Sequence, residues 1–171
     1  MSSIIGNKLK ISIYGESHGE ALGVVIDGLP SGFIVDLDYI KQQMDRRLPG
    51  KSDLSTDRKE EDEYKILSGF FEGKTTGTPL SAIIYNIDKK SEDYGNRFKL
   101  RPGHSDYTGY IKYSSYNDPR GGGHFSGRLT AALLFAGSIA MQILESKDIF
   151  IGSRIKSIYN INDDNIENID L

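Results

Sequence analysis

Apolar and polar residues alternate near the start of the chain. Within residues 8–14, Leu9, Ile11 and Ile13 fall on one face, which predicts a β-strand. The short apolar run at 22–26, rich in β-branched residues, predicts a second strand. Runs of the same kind predict strands or strand regions at 64–71, 80–86 and 149–161.

At residues 37–47 the apolar residues recur every three or four positions instead of every second position. Leu37, Ile40 and Met44 share one face there, which predicts an amphipathic helix. Asp36 precedes it and is a residue type that caps helix N-termini.

The clearest helix is predicted at 126–144. Apolar residues follow helical spacing and cover nearly its whole surface, which predicts deep burial. A membrane span is the alternative, but the stretch is short and is interrupted by Thr130, Ser138 and Gln142.

The order of these elements predicts the fold class. Strands that follow one another without helices between them favour an antiparallel sheet, on which the helix at 126–144 would pack as an inner layer. We therefore expect an α+β fold. Polar, charged stretches at 51–63 and 88–100 predict loops, and no repeat or shift in composition divides the chain, so residues 1–171 are predicted to form a single domain.

Composition narrows the class of protein. The chain has 171 residues, of which 37% are hydrophobic and 26% charged, as in a globular protein and unlike a disordered one. The net charge of −3 favours no general binding of nucleic acid. There is no cysteine, and residues 1–10 do not have the pattern of a secretory signal, so we expect a cytoplasmic protein. The three histidines show no pairing typical of a metal site, and none is predicted.

Residues that could bind anions or transfer protons are concentrated in two glycine-containing segments, RPGHSDYT at 101–108 and DPRGGGHFSGR at 118–128. Arginines supply permanently charged forks for carboxylate and phosphate groups, and histidines move protons near neutral pH. Gly121–Gly123, placed before a helix, predict a site for an anion, flanked by Arg120 and Arg128. The alternative is a flexible loop in which Ser126 is an ordinary N-cap.

The other two histidines and the two arginines at the end of the first helix need not have a chemical role. His104 lies two residues before Asp106, so the carboxylate could orient the imidazole or merely stabilise a turn. His18 follows a predicted strand between glycines, where we expect it to be accessible. Arg46 and Arg47 end the first helix, where the helix dipole alone favours positive charge.

Several ordered motifs resemble those of the chorismate synthase family. They are the two segments above, together with GESHG at 15–19, GVVIDGLPSG at 23–32 and DRRLPG at 45–50. The resemblance extends from about residue 8 to about residue 144.

The resemblance implies a lyase of aromatic amino acid biosynthesis. The family removes phosphate and a ring proton from 5-enolpyruvylshikimate 3-phosphate by an anti-1,4-elimination that gives chorismate, with reduced flavin mononucleotide (FMN) and no net redox change. It implies a layered β-α-β sandwich with a buried central helix. His18 and His104 would be catalytic: His104 would protonate the reduced flavin or buffer its charge, and His18 would assist phosphate loss, with the reverse assignment left open.

The resemblance also suggests binding roles. The substrate is a small polyanion, and its predicted ligands are Arg46, Arg101, Arg120 and Arg128. Predicted FMN contacts are His124, Phe125 and Ser126. Arg47 matches a position linked to NADP, and Arg58 is a weaker substrate candidate. This chain departs from the family at His124, where arginine is common, and at Asp53, where a second arginine often stands; the latter leaves NADPH use open.

Members of the family are about twice this long and form homotetramers. We therefore expect a fragment that keeps part of the site and lacks independent activity. One alternative function is a non-catalytic module that binds anionic metabolites or nucleotides. The other is a nucleic-acid-binding protein, which the acidic net charge disfavours.

Overall fold

The computed structural model describes residues 3–48, 62–87 and 99–163. A five-stranded antiparallel sheet has the spatial order β1-β2-β3-β7-β4. The strands are β1 (Ile4–Ile5), β2 (Lys10–Gly15), β3 (Ala21–Asp27), β4 (Tyr64–Ser68), β5 (Phe70–Phe71), β6 (Lys74–Thr75), β7 (Leu80–Tyr85), β8 (Ser157–Ile158) and β9 (Ile161–Asn162). The helices are α1 (Leu37–Arg47), α2 (Asp106–Lys112) and α3 (Thr130–Glu145).

The two strands predicted near the start of the chain, β2 and β3, lie side by side within the sheet. β2 pairs with β3, and Ile11 lies opposite Ile26. Leu22, Val24 and Ile26 of β3 point into the core, so the strands expected at 8–14 and 22–26 are confirmed.

The strand expected at 64–71 is divided. Gly69 has a φ of 76° and approaches the backbone of Leu80 so closely that a Cβ atom would overlap it. The chain therefore leaves the main sheet after β4, and β5 pairs instead with β6 in a small hairpin. The strand expected at 80–86 is present as β7.

α1 has the bounds that its sequence pattern predicts. The Asp36 carboxylate accepts a hydrogen bond from the Tyr39 amide at 2.9 Å and caps the helix. The backbone of Asp36 also exchanges two hydrogen bonds with the side-chain amide of Gln142, at 2.8 and 3.0 Å. Because Gln142 lies on α3, these bonds fix the start of α1 against the longer helix.

The helix expected at 126–144 is present, with a 3₁₀ turn at Gly127–Leu129 before α3. Its inner face packs on the sheet and on α1, and the ring of Phe135 meets that of Tyr64 with centroids 4.8 Å apart. Deep burial is thus confirmed for one face, whereas Leu133 on the other is 38% exposed. By length and hydropathy Gly127–Glu145 could cross a membrane, a test that the core helix of a globular protein also passes; half of the stretch is buried in the protein.

Two parts of the chain differ from expectation. Apolar residues at 149–161 predict a strand, but only the two-residue strands β8 and β9 form there, and Ile151 and Ile158 are exposed. Among the described residues these two strands pair only with each other, and no third strand joins them. α2 was not predicted, because glycine at 109 and several aromatic residues weaken its helical pattern.

The architecture confirms the α+β class, with α3 lying against one face of an antiparallel sheet. The loops expected at 51–63 and 88–100 fall almost wholly outside the described residues. The single-domain organisation stays a prediction.

Phe135→Ala should lower the free energy of unfolding by about 3–5 kcal/mol, because it opens a cavity where α3 meets the sheet. Leu133→Ala is the matched control on the exposed face of the same helix and should cost under about 1 kcal/mol. Urea unfolding followed by circular dichroism measures both. Equal losses in the two variants would contradict the packing described here.

Candidate functional site

A turn rich in glycine organises the site. Gly121, Gly122 and Gly123 have φ values of 58°, 88° and 54°, which side chains rarely adopt. A Cβ atom on Gly121 would also overlap the imidazole of His18. The carbonyl of Gly123 accepts a hydrogen bond from the Ser17 amide at 3.1 Å. The turn is therefore joined to the loop that carries His18.

A pocket of about 160 Å³ opens beside this turn. Its volume corresponds to about five water molecules, which is room for a carboxylate or phosphate group. The residues that line it come from the two segments singled out in the sequence: Arg101, His104, Ser105, Asp106, Gly121, Gly122, Phe125, Ser126 and Gly127. The structure thus brings predicted cationic, imidazole and glycine positions to one place.

Arg101 enters the pocket already paired. Its Nε and Nη2 atoms donate to the two carboxylate oxygens of Asp106 at 2.8 and 2.9 Å, and its amide donates at 3.0 Å. These bonds lower the pKa of Asp106 from 3.8 to about 2. The sequence suggested that the Asp106 carboxylate orients His104. In the structure its hydrogen bonds come from Arg101 instead.

Arg120 is paired in the same way at the start of the glycine turn. Its guanidinium donates to both oxygens of Asp118 at 2.7 to 3.1 Å. The hydrogen bonds from Arg120 hold the pKa of Asp118 below its usual range, and the nearby His18 adds to this effect. Asp118 reciprocally raises the pKa of Arg120.

A buried carboxylate joins two further arginines. The Asp62 side chain has no exposed surface and bridges Arg47 and Arg128, whose side chain is only 4% exposed. Arg128 also donates from Nε to the Asn86 side chain at 3.1 Å. Arg47 reaches the carbonyl of Gly127 at 3.4 Å, so this cluster lies directly behind the pocket wall.

His18 is buried rather than accessible. It is 7% exposed and packs behind Gly121, and it is not among the residues that line the pocket. The expectation of an accessible imidazole on a strand exit is therefore wrong in this conformation.

The three positions predicted for FMN have different environments. Both ring nitrogens of His124 are engaged within the chain, with the carbonyl of Gly15 at 3.0 Å and the hydroxyl of Ser3 at 2.8 Å. Phe125 forms a wall of the pocket. Ser126 accepts a hydrogen bond from the Arg128 amide at 3.3 Å and so caps the 3₁₀ turn at Gly127–Leu129, the N-cap role that the alternative interpretation gave it.

Six of the predicted site residues are not among those that line the pocket: His18, Arg46, Arg47, Arg120, His124 and Arg128. Arg46 is exposed on α1, and its described hydrogen bond is to Gln43 at 2.9 Å. Arg47 is bound to Asp62 and to the start of α3. Arg58 and Asp53 lie outside the described residues.

Sequence reasoning missed Asp62, Asn86 and Asp118. Asp62 lies within the acidic run at 60–63, a pattern typical of a solvated surface, but its side chain is buried. Its partners are distant in sequence, so no local pattern could reveal it. Asp118 was the easiest of the three to predict, because it lies only two residues before Arg120 in the sequence.

The comparisons with known proteins concern the family and the fold. The profile of the chorismate synthase family matches residues 9–170. The chain belongs to the chorismate synthase family. It is 52% identical over 160 residues to chorismate synthase of Lachnospira eligens and 48% identical over 157 residues to that of Sulfurimonas denitrificans.

The alignments cover most of this chain and less than half of each relative. They include 93% and 91% of this chain but only 43% and 44% of the two chorismate synthases. A crystal structure of chorismate synthase superimposes with a TM-score of 0.69 and 28% identity, over 95% of this chain and 42% of that one. The fold and family expected from the motifs are confirmed.

Gly121→Ala should displace the imidazole of His18, because the new methyl group would occupy the same space. Gly73→Ala is the matched control, since Gly73 has a φ of 78° and open space around it. Each should destabilise the fold by about 1–2 kcal/mol through backbone strain, with a further loss at Gly121 alone. The proton NMR signals of His18 should shift only in Gly121→Ala; unchanged signals there would contradict the packing.

Asp106 should titrate near pH 2 in the intact protein and close to 3.8 in Arg101→Gln. Because the folded-state pKa is depressed, the ion pair stabilises the fold above pH 3.8, and this contribution is lost as pH falls through about 2. Carboxyl carbon NMR shifts measure the midpoint. Arg154→Gln, which removes an arginine paired with Asp163, is the control and should leave Asp106 unmoved.

Proposed function

We propose that this chain contributes the N-terminal part of a chorismate synthase site, for the elimination of phosphate from 5-enolpyruvylshikimate 3-phosphate. The observation that carries the proposal is the pocket in which Arg101, His104 and the turn Gly121–Gly123 converge, in a member of that family. Because the chain spans less than half the length of its relatives, the activity itself is part of the proposal.

In this proposal the pocket holds an anionic group of the substrate. Arg101 offers a fixed charge whose direction Asp106 sets, and Gly122, which has no side chain, allows an anion to approach the backbone closely. Such preorganised donors stabilise charge that develops on a departing phosphate.

Proton transfer is assigned to the histidines. His104 lines the pocket and is the imidazole placed to move a proton at the bound group. His18 would act from behind Gly121, where only backbone separates its ring from the pocket.

The electrostatics limit what this part of the site does alone. Arg47, Arg101, Arg120 and Arg128 face three aspartates, so the described cluster carries one net positive charge. A substrate with three anionic groups is therefore oriented by these arginines more than it is neutralised by them.

The described residues do not enclose a flavin. Pockets for organic ligands measure roughly 300–1,000 Å³, and the pocket here measures about 160 Å³. Phe125 could border one edge of a flavin ring, but the His124 ring nitrogens are already engaged. We derive no catalytic step through the cofactor from these residues.

Arg101→Gln should weaken substrate binding by about tenfold to a hundredfold, the effect of losing charge-assisted hydrogen bonds. Anaerobic calorimetry with 5-enolpyruvylshikimate 3-phosphate, with and without reduced FMN, measures the affinity. Arg154→Gln is the matched control and should bind like the unmodified chain, because Arg154 lies beside the β8–β9 hairpin.

Phosphate release in the same samples separates catalysis from simple binding. Release with reduced FMN present supports elimination by this chain alone, whereas saturable binding without release is the result expected of an inactive fragment or of an anion-binding module. Equal affinities of Arg101→Gln and Arg154→Gln, or no binding by the unmodified chain, would contradict the proposal.

A further inference from the structure

We propose that Asn86 is a positioning residue for His18, and that the buried Arg128–Asp62 pair fixes Asn86 in turn. The importance of His18 rests on the proposed function, but the positioning itself is a property of the fold. Asn86 follows β7 directly and is 5% exposed, so its side chain is enclosed by protein.

The side-chain amide of Asn86 makes three hydrogen bonds. Its Nδ2 donates to the carbonyl oxygens of Glu16 and Gly19, each at 3.0 Å. Its Oδ1 accepts from Nε of Arg128 at 3.1 Å. All the polar capacity of the NH₂ group is used, as expected for a buried amide.

The chemistry of the partners allows only one orientation of this amide. Carbonyl oxygens can only accept, and a guanidinium can only donate. A rotated amide would oppose oxygen to oxygen and N–H to N–H. The contacts of Asn86 therefore determine which side faces the Glu16–Gly19 turn.

The two carbonyls that Asn86 holds are the ends of the turn that contains His18. The turn is closed by a hydrogen bond from the Gly19 amide to the Glu16 carbonyl at 3.0 Å. The backbone amide of Asn86 adds a bond to the carbonyl of Glu20 at 3.1 Å. The residue thus binds the turn at both ends and at its exit, and leaves His18 directed at Gly121.

Arg128 and Asp62 hold the other side of Asn86. A charged side chain as buried as Arg128 is strongly disfavoured unless it is paired, and Asp62 supplies the countercharge. Because Arg128 belongs to the turn at the start of α3, the network connects that helix to the His18 loop through a single amide.

Asn86→Asp is the sharpest test, because it keeps the shape but removes both donors. The new carboxylate would face two carbonyl oxygens, while its contact with Arg128 would survive. Asn160→Asp makes the same chemical change at an exposed position in the β8–β9 turn and is the matched control.

We expect amide hydrogen exchange at Ser17 and Gly19 to rise by about tenfold in Asn86→Asp, the effect of losing one or two net hydrogen bonds. The imidazole NMR signals of His18 should shift in the same variant. Exchange at Phe135 in α3, and both readouts in Asn160→Asp, should stay as in the unmodified chain. Unchanged exchange at Ser17 and Gly19, or unchanged His18 signals, would overturn the proposal.

A measurement on the unmodified chain covers the case in which Asn86→Asp fails to fold. The side-chain NH₂ protons of Asn86 should exchange with water much more slowly than those of Asn160, because both NH₂ protons of Asn86 are donated to carbonyl oxygens within the protein. Equal exchange rates would overturn the proposal. Neither measurement uses substrate or flavin, so its outcome is independent of the test of catalysis.

Discussion

The charge of Arg128 is the constraint on which the site depends. A guanidinium that is nearly all removed from water requires a countercharge and hydrogen-bond acceptors close by. Asp62 and Asn86 meet that requirement, and in doing so they bring together the segment that leads into β4, the end of β7 and the start of α3. The Ser17–His18 loop, the glycine turn and the pocket wall are then placed relative to this cluster through hydrogen bonds to Asn86 and Gly123.

Pairing with aspartate is the common property of the arginines around the pocket. Arg101 has Asp106, Arg120 has Asp118, and Arg128 shares Asp62. Each carboxylate reduces the attraction for a ligand anion but also limits the number of directions that its arginine can take. The proposed elimination would gain from such rigidity, because donors that are already in place require no rearrangement as charge develops.

The helices and strands show which elements a local sequence pattern can predict and which it cannot. Asp36 and the spacing of Leu37, Ile40 and Met44 are enough to define α1, because a cap and an amphipathic face are local properties. The apolar residues at 149–161 have an equally clear pattern but form only the short β8–β9 hairpin. A two-stranded hairpin needs a further strand or a packed layer to be stable, and the described residues provide no third strand there.

The motifs in the sequence identified the family and some of the residues that line the pocket, among them Arg101, His104 and Phe125. The hydrophobic pattern identified the central strands and both long helices. Neither could show that Asp62 is buried, that Asp106 serves Arg101, or that His18 lies behind Gly121. Those facts depend on contacts between residues far apart in the chain, such as Asp62 with Arg128. Only the folded chain decides them, because burial and the choice of an ionic partner are set by the elements that enclose a side chain and not by its neighbours in sequence.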